Sequence, residues 1–447
     1  MCIPLLLLLA FPYVTNAELS RSSEGRTDAR VCCDIRAGRG RFLRVDLRMP
    51  TVWLPEPLYE EALLGRQPRG GESLRRRILE LQWLFGYQAA DGDVVICDEE
   101  PDCGDLCAFF PKVRWVSAGR ASQELRRLGR AERAAWRLEP WVWSAKAIEF
   151  AHASGLEIPL RLPDISRSIN SRQFAPGERL FPLHRDETVP TFPVSICRSL
   201  SDVREALDCL MDHRITRWII KAEFGHSGRN QLRGDGLQLR TEQVGWLQRL
   251  FTAECVAVVE PWLEPICEYG VQWSVAAGGK PAGISLDGIV GLLTDSQGGY
   301  LGSVVFPEHE TGVWWDVVRP FQQEVLLRVS AAGYHGRIGI DCMVANWKGI
   351  VVVRPIQDLN GRHTMGRTAL AIAGRLSRDR HSAWYHFSTK RQREKILSIV
   401  ASMQCVEVLE TGPVVNDETP GSMLVSLVVP EAEQDWERLI GSSGVFG

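Results

Sequence analysis

The chain has 447 residues, 45% hydrophobic and 24% charged, the composition of an ordinary globular protein with room for about three domains. Its 52 basic and 55 acidic side chains leave a net charge of −3, which argues against a dedicated nucleic-acid surface. Twelve cysteines contain no CxxC pair and only one loose cluster, Cys97, Cys103 and Cys107, so free buried thiols are expected rather than zinc or a disulfide framework.

The first segment, MCIPLLLLLAFPYVTNA, has an apolar run of signal-peptide length. It lacks a basic start and is too short to span a bilayer comfortably. Residues 18–48 are rich in Arg, Ser and Gly and show no clear periodicity. Residues 1–48 are therefore expected to be an extension or a disordered leader, with folded sequence opening near Met49. From there, Leu74, Ile78, Leu81 and Phe85 recur at helical spacing, with Gly86 as a stop. The run DVVICD over 93–98 and residues 113–116 read as strands, and 122–128 and 145–153 as helices. Alternating strands and helices predict a small α/β domain over 49–195, with the Trp-rich segment 136–143 as core packing.

Ser199 and Asp202 form a capping-box pattern that opens a helix over 203–211. A strand over 217–221, a glycine-bearing turn over 223–229, a helix from Thr241 and a strand over 255–260 complete an α+β unit, 196–265. In the next unit, 266–400, strands over 268–277 and 281–289 flank Gly278-Gly279-Lys280 as a hairpin. A helix over 317–332 ends at Gly333, and a further helix begins near Thr364. The extension 401–447 holds one strand, 423–429. No internal repeat or low-complexity array interrupts the chain.

The stretch GRIGIDCMVANWKGIVVVRPIQDLNGRHTMGR, 336–367, carries the densest chemistry. Two apolar runs flank Asn346-Trp347-Lys348-Gly349, with Asp341 on the first, Asp358 just past the second and Asn360 two residues on. Residues i and i+2 of an extended segment share a face, and a hairpin brings Asp341 alongside them. Two carboxylates and an amide oxygen form a hard set suited to Mg²⁺ carrying phosphates, and Arg354, Arg362 and Arg367 are near enough to offset anionic charge. The bland alternative is a hairpin with a polar end. Lys221, at a strand end, could meet phosphate oxygens that Gly225 and Gly228 let backbone N–H groups approach. A solvated Lys is the plain alternative, since the chain has no Walker A sequence. Glu260, closing the run VAVVE, and Glu268 could read an adenine amino group and ribose hydroxyls, or be surface glutamates.

Taken in order, a strand Lys, a Gly/Ser loop, two Glu residues and then Asp…DxNxR resemble the ATP-grasp superfamily over about 170–372. The resemblance implies an ATP-grasp fold, α/β and α+β, behind an upstream α/β domain. It implies that Lys221 contacts the α/β phosphates, that the lid Gly225–Gly228 with Ser227 covers them, and that Glu260 and Glu268 bind adenine and ribose. Asp341, Asp358 and Asn360 would hold Mg²⁺ (or Mn²⁺ in its place), and Arg362 would face the transferred phosphate. Arg172 falls at a basic position usually filled by Lys, and Asp358 stands where Glu is usual. The implied activity is ATP-dependent joining of a small-molecule carboxylate to an amine through an acyl phosphate, in the cytoplasm, without nucleic acid or stable membrane association. A non-catalytic nucleotide-binding relative and a small-molecule kinase are the alternatives.

Overall fold

The computed structural model describes residues 31–37, 41–47, 49–63, 71–100, 112–158, 161–176, 180–183, 193–225, 230–278, 283–295, 298–306, 312–377, 380–387, 390–402, 406–412 and 424–430. The signal-like segment, Cys103, Cys107, Ser227, Gly228 and the Gly279-Lys280 turn lie outside them. The chain divides into two units, Met1–Arg48 and Met49–Gly447. In the first, β1 (Val31–Ala37) and β2 (Arg41–Leu47) pair antiparallel, a hairpin where no periodicity was legible.

In the second unit, β3 (Thr51–Leu54) leads through α1 (Tyr59–Leu63) and α2 (Gly71–Trp83) to β4 (Val94–Ile96). A 3₁₀ turn over Leu84–Tyr87 extends α2 through Gly86, so Gly86 is a buried core residue rather than a stop. After β5 (Arg114–Val116) come α3 (Ala118–Arg127), α4 (Arg130–Ala134) and β6 (Arg137–Pro140). All strand pairs in this sheet are parallel, in the order β5-β4-β3-β6, which requires helical crossovers. The observed α5 (Ala145–Ser154) ends at Gly155 with φ 70, the left-handed cap that glycine adopts without a Cβ penalty. A helix not read in the sequence, α6 (Leu162–Asn170), follows, and then β7 (Phe181–Pro182).

The next sheet is small and antiparallel: β8 (Ser195–Cys197), β9 (Arg217–Ala222), β10 (Gln231–Asp235) and β11 (Ala257–Pro261), in the order β10-β9-β11-β8. Two helices pack on it, α7 (Leu200–Asp212) and α8 (Thr241–Thr252). The capping box expected for α7 is present: the Ser199 side chain accepts from the Asp202 N–H, and Asp202 accepts from the Ser199 N–H. Leu207, Leu210, Trp218, Ile220, Leu247 and Val259 form the core of this layer.

Among the described residues the largest sheet has nine strands, with β12 (Glu264–Val275), β13 (Ile284–Thr294), β14 (Tyr300–Val305), β15 (Gly336–Trp347), β16 (Ile350–Asn360), β17 (Ser382–His386), β18 (Val406–Glu410) and β19 (Leu424–Pro430) joined by β7. Its order is β18-β19-β17-β14-β13-β12-β15-β16-β7. Helix α9 (Trp314–Ala331) packs Val318, Val325, Leu326 and Val329 against Val271, Ile338 and Ile340 of the sheet, in one core with the upstream domain. Two further helices, α10 (Met365–Leu376) and α11 (Lys390–Ala401), complete the unit. The mixed α/β and α+β class expected from the resemblance is the class observed. Among the described residues no helix is long and apolar enough to cross a membrane.

Candidate nucleotide and metal site

The β15–β16 hairpin turns through Lys348 and Gly349, both at positive φ (50 and 89), the two-residue turn whose twist matches the flanking strands. The turn is therefore shorter than the four residues read from the sequence, and β16 continues through Asp358 to Asn360. Asp341 lies directly opposite Asp358, and Gly339 opposite Asn360. Cys342 faces the longer stretch Pro355–Gln357, a bulge that re-aims the strand. Gln357 in that bulge donates to Glu268 Oε1 at 3.1 Å, and Thr294 donates to Oε2 at 3.4 Å.

The two aspartates meet different fields. Burial pushes the Asp341 carboxyl up to about 7, and the adjacent Asp358 charge adds to the rise. Asn360 Nδ2 donates to Asp341 Oδ2 at 3.3 Å, while Asn360 Oδ1 accepts from Arg362 at 3.0 Å. Burial also opposes ionisation of Asp358, but Arg172, Lys221 and Arg354 overcome it and hold the carboxyl at about 2. Arg172 Nε and Nη2 donate to the two Asp358 oxygens at 2.8 and 3.0 Å, a bidentate pair.

Arg172 is fixed by the turn that follows α6. Its Nη1 donates to the Ala222 carbonyl at 2.6 Å, and its backbone N–H donates to the Glu223 carbonyl at 3.2 Å. Glu223 Oε1 accepts from Ser171 Oγ at 2.8 Å and Gln173 Nε2 at 3.0 Å, so the turn is pinned to the end of β9. From the other side, Asn170 Nδ2 donates to the Gly361 carbonyl at 3.2 Å. A Cβ on Gly361 would crowd Ile169, which is why the two segments approach so closely.

Lys221 on β9 and Glu260 on β11 face one another across the small sheet, Nζ to Oε1 at 2.8 Å. The other Glu260 oxygen pairs with Arg354 of β16. All three are at least 96% buried, and although burial opposes it, Arg354 and Lys221 hold Glu260 below its ordinary pKa. Glu260 therefore bridges two cations in this arrangement, a role not read from the sequence. Glu268, on β12, is pushed up by burial against the pull of Lys221. Gly225, at the entry to the expected lid, is described; Ser227 and Gly228 are not.

Arg362 turns toward the upstream domain. It pairs with Glu60 of α1 and donates to the His363 carbonyl at 3.0 Å. Arg367, expected near the carboxylates, instead meets Asp287 of β13 at 2.8 Å and donates to the Trp273 carbonyl at 2.8 Å. That shift follows from α10, which Thr364 caps by accepting from the Arg367 N–H. Glu60, Glu223, Gln357 and Ser171 were missed in the sequence. Only the tertiary arrangement gives each its partner.

The Asp341 carboxylate is a hard-oxygen group of the kind Mg²⁺ takes, whereas Asn360 turns its Nδ2 to Asp341 and gives its Oδ1 to Arg362. Both Asp358 oxygens are engaged by Arg172. Among the described residues no group of three or more His, Cys, Asp or Glu side chains converges as a metal site; the set here is two carboxylates and an amide.

No family model and no curated protein matches the chain. Solved structures with similar backbones include N5-carboxyaminoimidazole synthetase from Staphylococcus aureus, 11% identical over 88% of this chain and 97% of that one, TM-score 0.48. The synthase from Aspergillus clavatus, in complex with ADP and 5-aminoimidazole ribonucleotide, is 11% identical over 89% and 99%, TM-score 0.47. The biotin carboxylase domain of Hydrogenobacter thermophilus 2-oxoglutarate carboxylase, bound to MgADP and bicarbonate, is 10% identical over 85% and 86%, TM-score 0.45.

Proposed function

We propose that this chain is an ATP-dependent ligase of the ATP-grasp kind, joining a carboxylate to an amine. The carrying observation is three polar groups: Lys221–Glu260–Arg354, Arg172–Asp358, and Asp341–Asn360–Arg362–Glu60, with Asp341 and Asp358 in register on paired strands. Cations stand beside carboxylates on strands of two sheets that the Arg354–Glu260 pair joins, the arrangement phosphoryl transfer to an acid calls for. In this reading Lys221 and Arg172 meet the nucleotide phosphates, and Asp341 holds Mg²⁺. Glu268 and the Gly225–Gly228 loop complete the nucleotide site. Mg²⁺ supplies charge neutralisation on the phosphates.

The substrate carboxylate oxygen attacks the γ-phosphorus, and the bond to the β-phosphate oxygen breaks, giving an acyl phosphate and ADP. Arg362, held by Glu60 and Asn360, faces the oxygens of the new acyl phosphate. The amine then attacks the acyl carbon, loses a proton and expels inorganic phosphate, leaving an amide. Such chemistry draws on the nucleotide pool of the cytoplasm.

The test is hydroxylamine trapping with MgATP and pooled amino acids, short peptides and other carboxylates. Hydroxamate with matching ADP release, lost in Asp341→Ala and Lys221→Ala, is the expected result. ATP binding with neither product from any pool would favour a second reading, a nucleotide-binding relative without turnover. The closed Arg172–Asp358 pair gives that alternative its support.

A further inference from the structure

We infer that Arg172 is a resident cation on Asp358, so that the nucleotide site takes one divalent ion, at Asp341, rather than one at each aspartate. This rests on the nucleotide-site reading given above. The two residues that depart from the ATP-grasp pattern, Arg172 for Lys and Asp358 for Glu, prove to be each other's partners. The pairing has a geometric logic. A lysine ammonium is a point charge and cannot engage two carboxylate oxygens in parallel, whereas the guanidinium fork does so. The shorter aspartate draws its carboxylate back toward β16, which suits the reach of the longer fork.

The guanidinium is also held from behind. Its third nitrogen donates to the Ala222 carbonyl at 2.6 Å, on the strand that carries Lys221. The 171–173 turn is anchored on Glu223 by three hydrogen bonds, from Ser171, Gln173 and the Arg172 backbone. The Arg172 side chain is only 14% exposed and that of Asp358 25%. A cavity lined by Arg172, Glu260, Gln357 and Asp358 lies beside the pair. Asp341 differs: it accepts a single amide hydrogen at 3.3 Å and faces Asp358 in register, leaving it the open ligand.

The measurement is a count of bound Mn²⁺ per bound nucleotide, by electron paramagnetic resonance on the full chain with a non-hydrolysable ATP analogue. Nucleotide binding is followed separately with a fluorescent derivative. The native chain should bind one Mn²⁺ per nucleotide, and the double variant R172K/D358E should bind two. Two ions in the native chain, or one in a double variant that still binds nucleotide, would overturn the inference and leave the nucleotide site standing. A native chain that binds no nucleotide would overturn the nucleotide reading itself, and the inference with it.

Discussion

Replacing Glu260 with glutamine removes the one negative charge between two buried cations. Lys221, Glu260 and Arg354 are each only 3–4% exposed, so water cannot take over from the lost carboxylate. At 2.8 Å, the Lys221–Glu260 attraction alone is about 6 kcal/mol at an effective dielectric of ~20, before desolvation is subtracted. Breaking buried pairs by removing one partner costs about 3–5 kcal/mol, and that is the loss expected for Glu260→Gln. Lys221→Met should cost less, because Arg354 still neutralises the carboxylate. The triple variant K221M/E260L/R354M should recover most of the loss, since no charge then remains to be desolvated. Urea unfolding followed by the fluorescence of the 15 tryptophans provides the assay, with slopes compared across variants. A Glu260→Gln loss under about 1 kcal/mol, or a triple variant no more stable than the single, would refute the reasoning.

Other consequences follow from the same geometry. The Asp341 carboxyl, raised to about 7, favours the folded state below its unfolded pKa and loses that contribution as pH rises through 7. In metal-free buffer, Asp341→Asn should therefore flatten the decline in urea midpoint between pH 4 and 7; parallel native and variant profiles would contradict the assignment. A Cβ at Gly302 would overlap the Trp384 carbonyl oxygen across β14 and β17. Gly302→Ala should cost about 1–3 kcal/mol or more, read as a fall in Tm. Glu60→Gln should release Arg362 from its partner on α1 and lower hydroxamate formation about tenfold while leaving nucleotide affinity unchanged, since Glu60 meets only Arg362 of the network. Equal losses in both would show that Glu60 supports the fold rather than the position of Arg362.

The local patterns in the sequence carried much of this arrangement. Strict i, i+2 spacing put Asp358 and Asn360 on one face, and apolar runs marked β9, β11, β15 and β16. What escaped was tertiary. Asp358 was read as lying beyond its strand because Pro355 and the polar tail interrupt the apolar run; the bulge opposite Cys342 absorbs that irregularity and keeps the ladder intact. Helix α6 was missed because its Ser, Ile and Asn residues have modest helix propensity, and its tie to Gly361 is 191 positions distant. Glu60 lies on a five-residue helix too short to show a period, yet it holds Arg362.

The distribution of charge across the site has a direction. Glu260 is shared by two cations and Asp358 is gripped at both oxygens, so the Lys221 side is close to neutral before anything binds. On the Asp341 side, Arg362 is already committed to Glu60 and Asn360, and the remaining carboxyl ionises with difficulty. A divalent ion entering there would find one carboxylate to neutralise and would shift Asp341 toward its charged form. A nucleotide approaching from the Lys221 side would find a cation that must first give up Glu260. Metal and phosphate would therefore act on opposite sides of the site: a phosphate that draws on Lys221 adds negative charge, and an ion at Asp341 offsets it while Arg172 stays on Asp358. Binding of the two should be mutually favourable, each tightening the other by the same factor.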